Sequence, residues 1–157
     1  MNTIDPNPLF AQDAQSNTHN FPATKKGVLS LHAFAMERSK PKVLVLDDVY
    51  AIAETLRVIL SLHGFDAVAV CDGRAAIESA KAWKPDILVS DVFMPIMDGF
   101  DTAAEIYAIL PNCRVLLLSS EPRALRTVRQ YRKLGFRFEF LLKPFHPSQL
   151  LNQLRRV

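Results

Sequence analysis

Asp47-Asp48, Asp91, Ser119-Ser120 and Lys143-Pro144 are the places in this sequence where residues suited to chemistry stand at or just beyond the end of a short apolar run. The runs are Val43-Leu44-Val45-Leu46, Ile87-Leu88-Val89, Val115-Leu116-Leu117-Leu118 and Phe138-Glu139-Phe140-Leu141-Leu142. If the fold gathers them, three carboxylates, a hydroxyl and an ammonium share one rim. Like charges so close raise one another's pKa unless a cation neutralises them, so the cluster asks for a divalent metal. Oxygen ligands favour Mg2+ or Mn2+, and Mg2+ completes its octahedron with water and a substrate phosphate. Singly, each residue has a plainer use. Asp47-Asp48 could cap a helix, a Ser ending a strand usually bonds local backbone, and a Lys before Pro is usually a solvated charge. Asp91, followed by Val92-Phe93-Met94-Pro95, is the hardest to explain as structure.

The elements that must position these groups follow from periodicity. Runs that are apolar at every position suit strands covered on both faces, so strands one, three and four are central and parallel. Ala67-Val68-Ala69-Val70 is softer and the fifth run admits Glu139, which places both at the edges. Between them lie helical stretches. Ile52, Leu56, Ile59 and Leu60 form the core stripe of the first, closed by His63-Gly64. Asp72 and Asp98 read as N-caps, and His146-Pro147-Ser148 opens the last helix. Strand then helix, five times, with right-handed crossovers, gives an α/β doubly wound parallel sheet, and ligands of such sheets bind beyond the carboxyl ends of the strands.

From about Lys42 to Val157 the chain resembles a receiver domain of the two-component response regulators. The resemblance is carried by Asp47-Asp48, by Asp91-Val92-Phe93-Met94-Pro95-Ile96-Met97-Asp98-Gly99, by Ser119 and by Lys143-Pro144. The intervals are 43 residues from Asp48 to Asp91, 28 to Ser119 and 24 to Lys143. The resemblance implies a flavodoxin-like sheet of strand order 2-1-3-4-5 and a stand-alone phosphoacceptor switch, fed by a sensor histidine kinase, a phosphotransfer protein or a small phosphodonor. It implies Asp91 as phosphoacceptor and Asp47, Asp48, Asp91 and the backbone carbonyl of Phe93 around Mg2+ or Mn2+. Ser119 and Lys143 would contact the phosphoryl group, with Lys143-Pro144 cis, and Ser119 and Phe140 would relay the switch to the face of the fourth helix, fifth strand and fifth helix. Slow self-dephosphorylation is expected. A phosphatase using the end of strand one would want Asp-x-Asp, where this chain has Asp47-Asp48-Val49, and no Gly-rich loop follows strand one to bind a nucleotide. The complete set of five residues argues against a degenerate binding module.

Residues 1–40 match nothing in that family and are expected to be a disordered extension, with a short helix at Val28 to Met36, ahead of a receiver domain at 41–157; translation from Met36 is the alternative reading. The 157 residues suffice for one core. Cys71 and Cys113 lack metal or redox spacing and read as reduced cytoplasmic thiols. No apolar run is long enough to span a bilayer, so no membrane association is expected. Formal charge is +1 over residues 1–40, −5 over 41–120 and +7 over 121–157, a net of +3. The acidic middle argues against direct nucleic-acid binding. On the fourth helix Arg123, Arg126, Arg129 and Lys133 share one arc, opposite Ala124, Leu125, Val128, Tyr131 and Leu134. That basic arc is expected to meet a downstream protein, an acidic one, or a second copy in a homodimer.

Overall fold

The computed structural model describes residues 40–156. The expected extension, its Val28-to-Met36 helix and its boundary lie outside those residues except for Lys40. The order is β1 (Lys42–Leu46), α1 (Tyr50–Leu62), β2 (Asp66–Val70), α2 (Gly73–Trp83), β3 (Ile87–Asp91), α3 (Gly99–Ile109), β4 (Arg114–Ser119), α4 (Ala124–Lys133), β5 (Phe138–Leu142) and α5 (Pro147–Leu154). All pairings are parallel and the sheet order is 2-1-3-4-5, with the soft β2 and the charged β5 at its edges.

Strand alternation splits the core in two. Val43, Val45, Ile87, Val89, Leu116 and Leu118 face α1 and α5, where Ala53, Leu56, Leu60, Leu150, Leu151 and Leu154 cover them. Their neighbours Leu44, Leu46, Leu88, Val115 and Leu117 face α2, α3 and α4. A parallel strand is thus apolar at every position because each successive side chain enters the other core. Leu44, Leu88 and Leu117 are fully buried, and truncating any one to Ala would cost about 2–5 kcal/mol. Between α3 and α4 the rings of Phe100 and Tyr131 stack at 5.3 Å and 9°. Phe136, Phe138 and Tyr107 extend that contact toward the opposite end of the sheet.

The helix ends form as their residues dictate. The Asp72 carboxylate accepts the Ala75 N–H and Asp98 accepts the Asp101 N–H, both at 2.8 Å. His146 and Gln149 form a reciprocal capping box. His63 lies 2.7 Å from the Ile59 carbonyl, and Gly64 takes φ +93°, a left-handed turn that glycine adopts without steric cost. Two assignments shift. The buried stripe of α1 is Ala53, Leu56 and Leu60, whereas Ile52 is exposed and Ile59 only partly covered, so the helix is rotated toward its smaller residue. Leu134, assigned to the sheet side of α4, is exposed at that helix's C-cap, where the chain has already turned away.

Candidate functional site

The carboxyl ends of β1, β3, β4 and β5 deliver the chemical residues to one rim. Asp47, immediately after β1, is buried; its Oδ1 accepts the Val49 N–H at 3.0 Å. Asp91 is the last residue of β3, and its Oδ2 accepts the Phe93 N–H at 3.1 Å. The Lys143 backbone N–H, just past β5, donates to the Ser119 carbonyl at 2.8 Å, which fixes where its side chain starts. Its ammonium then donates to Asp91 Oδ1 at 2.6 Å and Asp47 Oδ2 at 2.9 Å. The Lys143-Pro144 bond is cis, as the family resemblance implies.

The other expected members stand further from this contact. Asp48 is exposed and reaches Asp91 by its charge rather than by a bond. Ser119 is fully buried and its hydroxyl accepts the Glu121 N–H at 3.0 Å, so it is bonded to the start of the loop before α4. Phe140 is partly buried against the core on the α4 side of the sheet. Arg123, Arg126, Arg129 and Lys133 are all exposed, as the helical wheel required, although Arg123 is engaged by Glu121.

Burial raises the Asp91 carboxyl above its ordinary value and outweighs the hydrogen bond and charge of Lys143, while Asp47 and Asp48 push it further up. Lys143 is pulled down by burial, but its bonds to Asp91 and Asp47 prevail and hold its ammonium above the usual value. The group at the acceptor position is therefore less willing to carry charge than an exposed Asp, and its partner amine more willing.

The three carboxylates meet a cation of the protein's own before any metal is considered. Lys143 neutralises part of that charge directly, and among the described residues no three His, Cys, Asp or Glu side chains close into a metal cage. Asp47, Asp48 and Asp91 nevertheless outnumber the one ammonium, and they and the Phe93 carbonyl are hard oxygen donors, so the residues present fit a hydrated Mg2+ or Mn2+.

Gly99 closes the motif that begins at Asp91, and its role is visible only in three dimensions. A Cβ there would lie 2.0 Å from the Asp91 carbonyl oxygen. The Gly99 N–H also donates to the Val92 carbonyl at 2.8 Å. Residues 92–98 thus form a loop closed on the backbone of Asp91, and only a residue without a side chain permits the closure.

A family profile described as the response regulator receiver domain matches residues 43–155. The chemotaxis protein CheY of Thermotoga maritima is 32% identical over 117 residues, covering 74% of this chain and 96% of that protein. The solved structure of the chemotaxis protein CheY4 of Vibrio cholerae superposes with a TM-score of 0.68 at 31% identity, covering 75% of this chain and 98% of that one. A CheY solved in a complex with CheX, BeF3 and Mg2+, from Borrelia burgdorferi, gives a TM-score of 0.65 at 26% identity over 73% of this chain and 86% of that one. The chain spans about half the length of the DNA-binding regulators it also matches. Strand order, rim and sequence match agree, and the chain belongs to the response regulator receiver domain family.

Proposed function

We propose that this chain is a phosphoacceptor switch of two-component signalling, in which Asp91 takes a phosphoryl group from the histidine of a sensor kinase or phosphotransfer protein, or from a small phosphodonor. The observation that carries the reading is the orientation of one carboxylate. Asp91 Oδ1 is held by Lys143 and Oδ2 by the Phe93 N–H, at the open end of β3. An Asp91 oxygen attacks phosphorus, an acyl O–P bond forms, the donor's P–N bond breaks, and the leaving imidazole nitrogen takes a proton from solvent. Lys143 lies where it can turn from Asp91 to the equatorial phosphoryl oxygens, whose charge spreads during in-line transfer. Asp47, Asp48, Asp91 and the Phe93 carbonyl would hold Mg2+ or Mn2+, which supplies charge neutralisation at those oxygens when bound. That a Borrelia burgdorferi CheY was solved in a complex holding Mg2+ supports the metal.

The Ser119 hydroxyl accepts from Glu121 and keeps its own hydrogen to offer the phosphoryl group. Ser119 and Phe140 then relay the change to the face built by α4, β5 and α5. The exposed Arg123, Arg126, Arg129 and Lys133 on that face suit an acidic downstream protein better than a like-charged second copy, so a homodimer there is the weaker alternative, and direct nucleic-acid binding is not expected. Phe93, half exposed two residues beyond the acceptor, offers attacking water no hydrogen bond, which favours slow self-dephosphorylation. Among the described residues no helix is long and apolar enough to cross a membrane.

The test is intact mass after incubation with acetyl phosphate and Mg2+. The parent should gain about 80 Da, the mass of one covalent phosphoryl group, and Asp91→Asn should gain nothing. An adduct that persists in the variant overturns the assignment.

A further inference from the structure

At the amino end of the sheet, opposite Asp91, a cavity of about 510 Å³ opens between the end of α3, the start of β4 and the turn from α4 into β5. Small-molecule sites span roughly 300–1,000 Å³. One wall is aromatic. The Phe136 ring lies 5.3 Å from that of Tyr107 and 5.2 Å from that of Phe138, centroid to centroid. Phe138 is buried, whereas Tyr107 and Phe136 keep part of their surface open to the cavity side. The turn that carries Phe136 is closed by backbone bonds. Gly135, at φ +96°, donates its N–H to the Arg132 carbonyl, and the Phe136 N–H donates to the Tyr131 carbonyl, both at 3.1 Å. The wall is therefore part of the fold and needs no ligand to assemble it.

The charged lining is Arg114, Arg132, Arg137 and Glu139, three cations against one anion, a net of +2. Glu139 is satisfied on both oxygens, Oε1 by Arg114 and Oε2 by Gln153, so the cavity holds no free anion. The surplus belongs to Arg132 and Arg137. Arg132 spends its Nε on the Phe138 carbonyl at 2.9 Å, which leaves both Nη groups for another partner. Arg137 is exposed, and among the described residues neither arginine is paired with a carboxylate. A guanidinium presents its N–H groups as a fork that fits phosphate or carboxylate oxygens. A phosphate monoester carries about −1.5 to −2 at neutral pH and so matches two arginines, whereas a single carboxylate leaves one of them unanswered.

We propose that this cavity binds a small aromatic phosphate, with its ring against Phe136 and Tyr107 and its phosphate between Arg132 and Arg137. Both halves of the ligand are needed. Charge alone is weak at an exposed site, where water and salt screen it, and the ring adds the contact that makes the phosphate stay. The ring can be the base of a mononucleotide or that of a simple aryl ester, and the shared chemistry is a planar ring joined to a dianion. The site is separate from the phosphoacceptor. Arg114 opens β4 and Ser119 ends it, so five steps of about 3.3 Å set the cavity about 16 Å from the rim. The rim, moreover, carries surplus negative charge and repels a dianion unless a metal is present. The proposal thus stands whether or not Asp91 accepts a phosphoryl group.

The experiment titrates the 15N-labelled full chain with adenosine monophosphate, phenyl phosphate and inorganic phosphate, in EDTA so that no divalent ion draws phosphate to Asp91. Amide shifts should gather at Asn112 and at Phe136 to Glu139, and at least one aromatic phosphate should bind about tenfold more tightly than inorganic phosphate. The tighter of the two identifies the ring, and either one upholds the site. Arg137→Ala breaks no bond among the described residues, so it should melt with the parent while weakening the aromatic phosphates by about tenfold. Phe136→Leu should bring them down to the affinity of inorganic phosphate and leave that affinity unchanged. Inorganic phosphate that binds as tightly as both aromatic ligands overturns the proposal. So do shifts centred on Asp91, and so does undiminished binding by Arg137→Ala.

Discussion

The two ends of the sheet hold their charges in opposite ways. At the amino end, Arg114 of β4 donates to Glu139 Oε1 of β5 through Nε at 3.2 Å and Nη2 at 2.9 Å. It also donates to the carbonyls of Leu154 and Gln153 at 3.0 and 3.2 Å. Gln153 closes the circle by donating to Glu139 Oε2 at 2.8 Å. One cation meets one anion, every partner is filled, and the result joins two strands to the last helix. At the carboxyl end, Asp47, Asp48 and Asp91 face Lys143, and negative charge is left over. A balanced cluster serves the fold and asks for nothing more. An unbalanced one suits the further cation proposed above.

That contrast can be broken by substitution. The largest effect is expected from Gly99→Ala, since the new methyl would stand 2.0 Å from the Asp91 carbonyl oxygen. Separating β3 from α3 to admit it should cost about 3 kcal/mol in chemical denaturation and slow acetyl phosphate labelling together. Denaturation at parental stability would mean the loop closes some other way.

A second measurement sharpens the comparison without touching charge. Cys113, just before β4 at the amino end, is buried, and burial pushes its thiol up to about 11, the Leu88 backbone acting weakly the other way. Cys71 follows β2 at the carboxyl end and is partly exposed. At pH 8 only about one Cys113 in a thousand is thiolate, so a maleimide should modify Cys71 at least a hundredfold faster, read by peptide mass. The Cys113 rate should climb as pH rises toward 11, and a constant rate would show that opening of the core, not ionisation, limits it.

The smallest effect belongs to Arg114→Ala. The ion pair is about one-third exposed on either side, so solvent screens it, and the loss should be about 1–2 kcal/mol in urea titration, carried mainly by the stranded Glu139 and helix carbonyls. Phosphorylation by acetyl phosphate should proceed as in the parent. A variant that folds normally but labels slowly would erase the distinction between the two ends.

The same contrast explains what the sequence discloses. The five strands, and which of them are central, are legible because a strand between two cores must be apolar throughout; their order is implied by the family resemblance; and the caps at Asp72, Asp98 and His146 are legible because each bonds backbone two or three residues away. The Arg114 cluster leaves no such trace: its partners lie 25 to 40 residues off, and a single Arg opening a strand resembles any solvated charge. Lys143 is legible as a site residue through the family motif, yet its bridging of Asp47 and Asp91 comes from the parallel placement of β1, β3 and β5, which no local window contains. The exposed Ile52 and Leu134 fail for a related reason. Periodicity identifies an apolar stripe, while the packing of neighbours decides which part of it is covered.

One closure has a meaning for inheritance. Gly99 contributes no donor, acceptor or charge, but the backbone of Asp91 rests against the place where its side chain would be. Of all the single-codon changes open to this position, none makes the residue smaller, and each adds at least a carbon where there is no room. Position 99 should therefore be as intolerant as position 91 while performing no reaction, so that a catalogue of forbidden substitutions would assign it to the chemistry when it belongs to the hinge that holds the chemistry still.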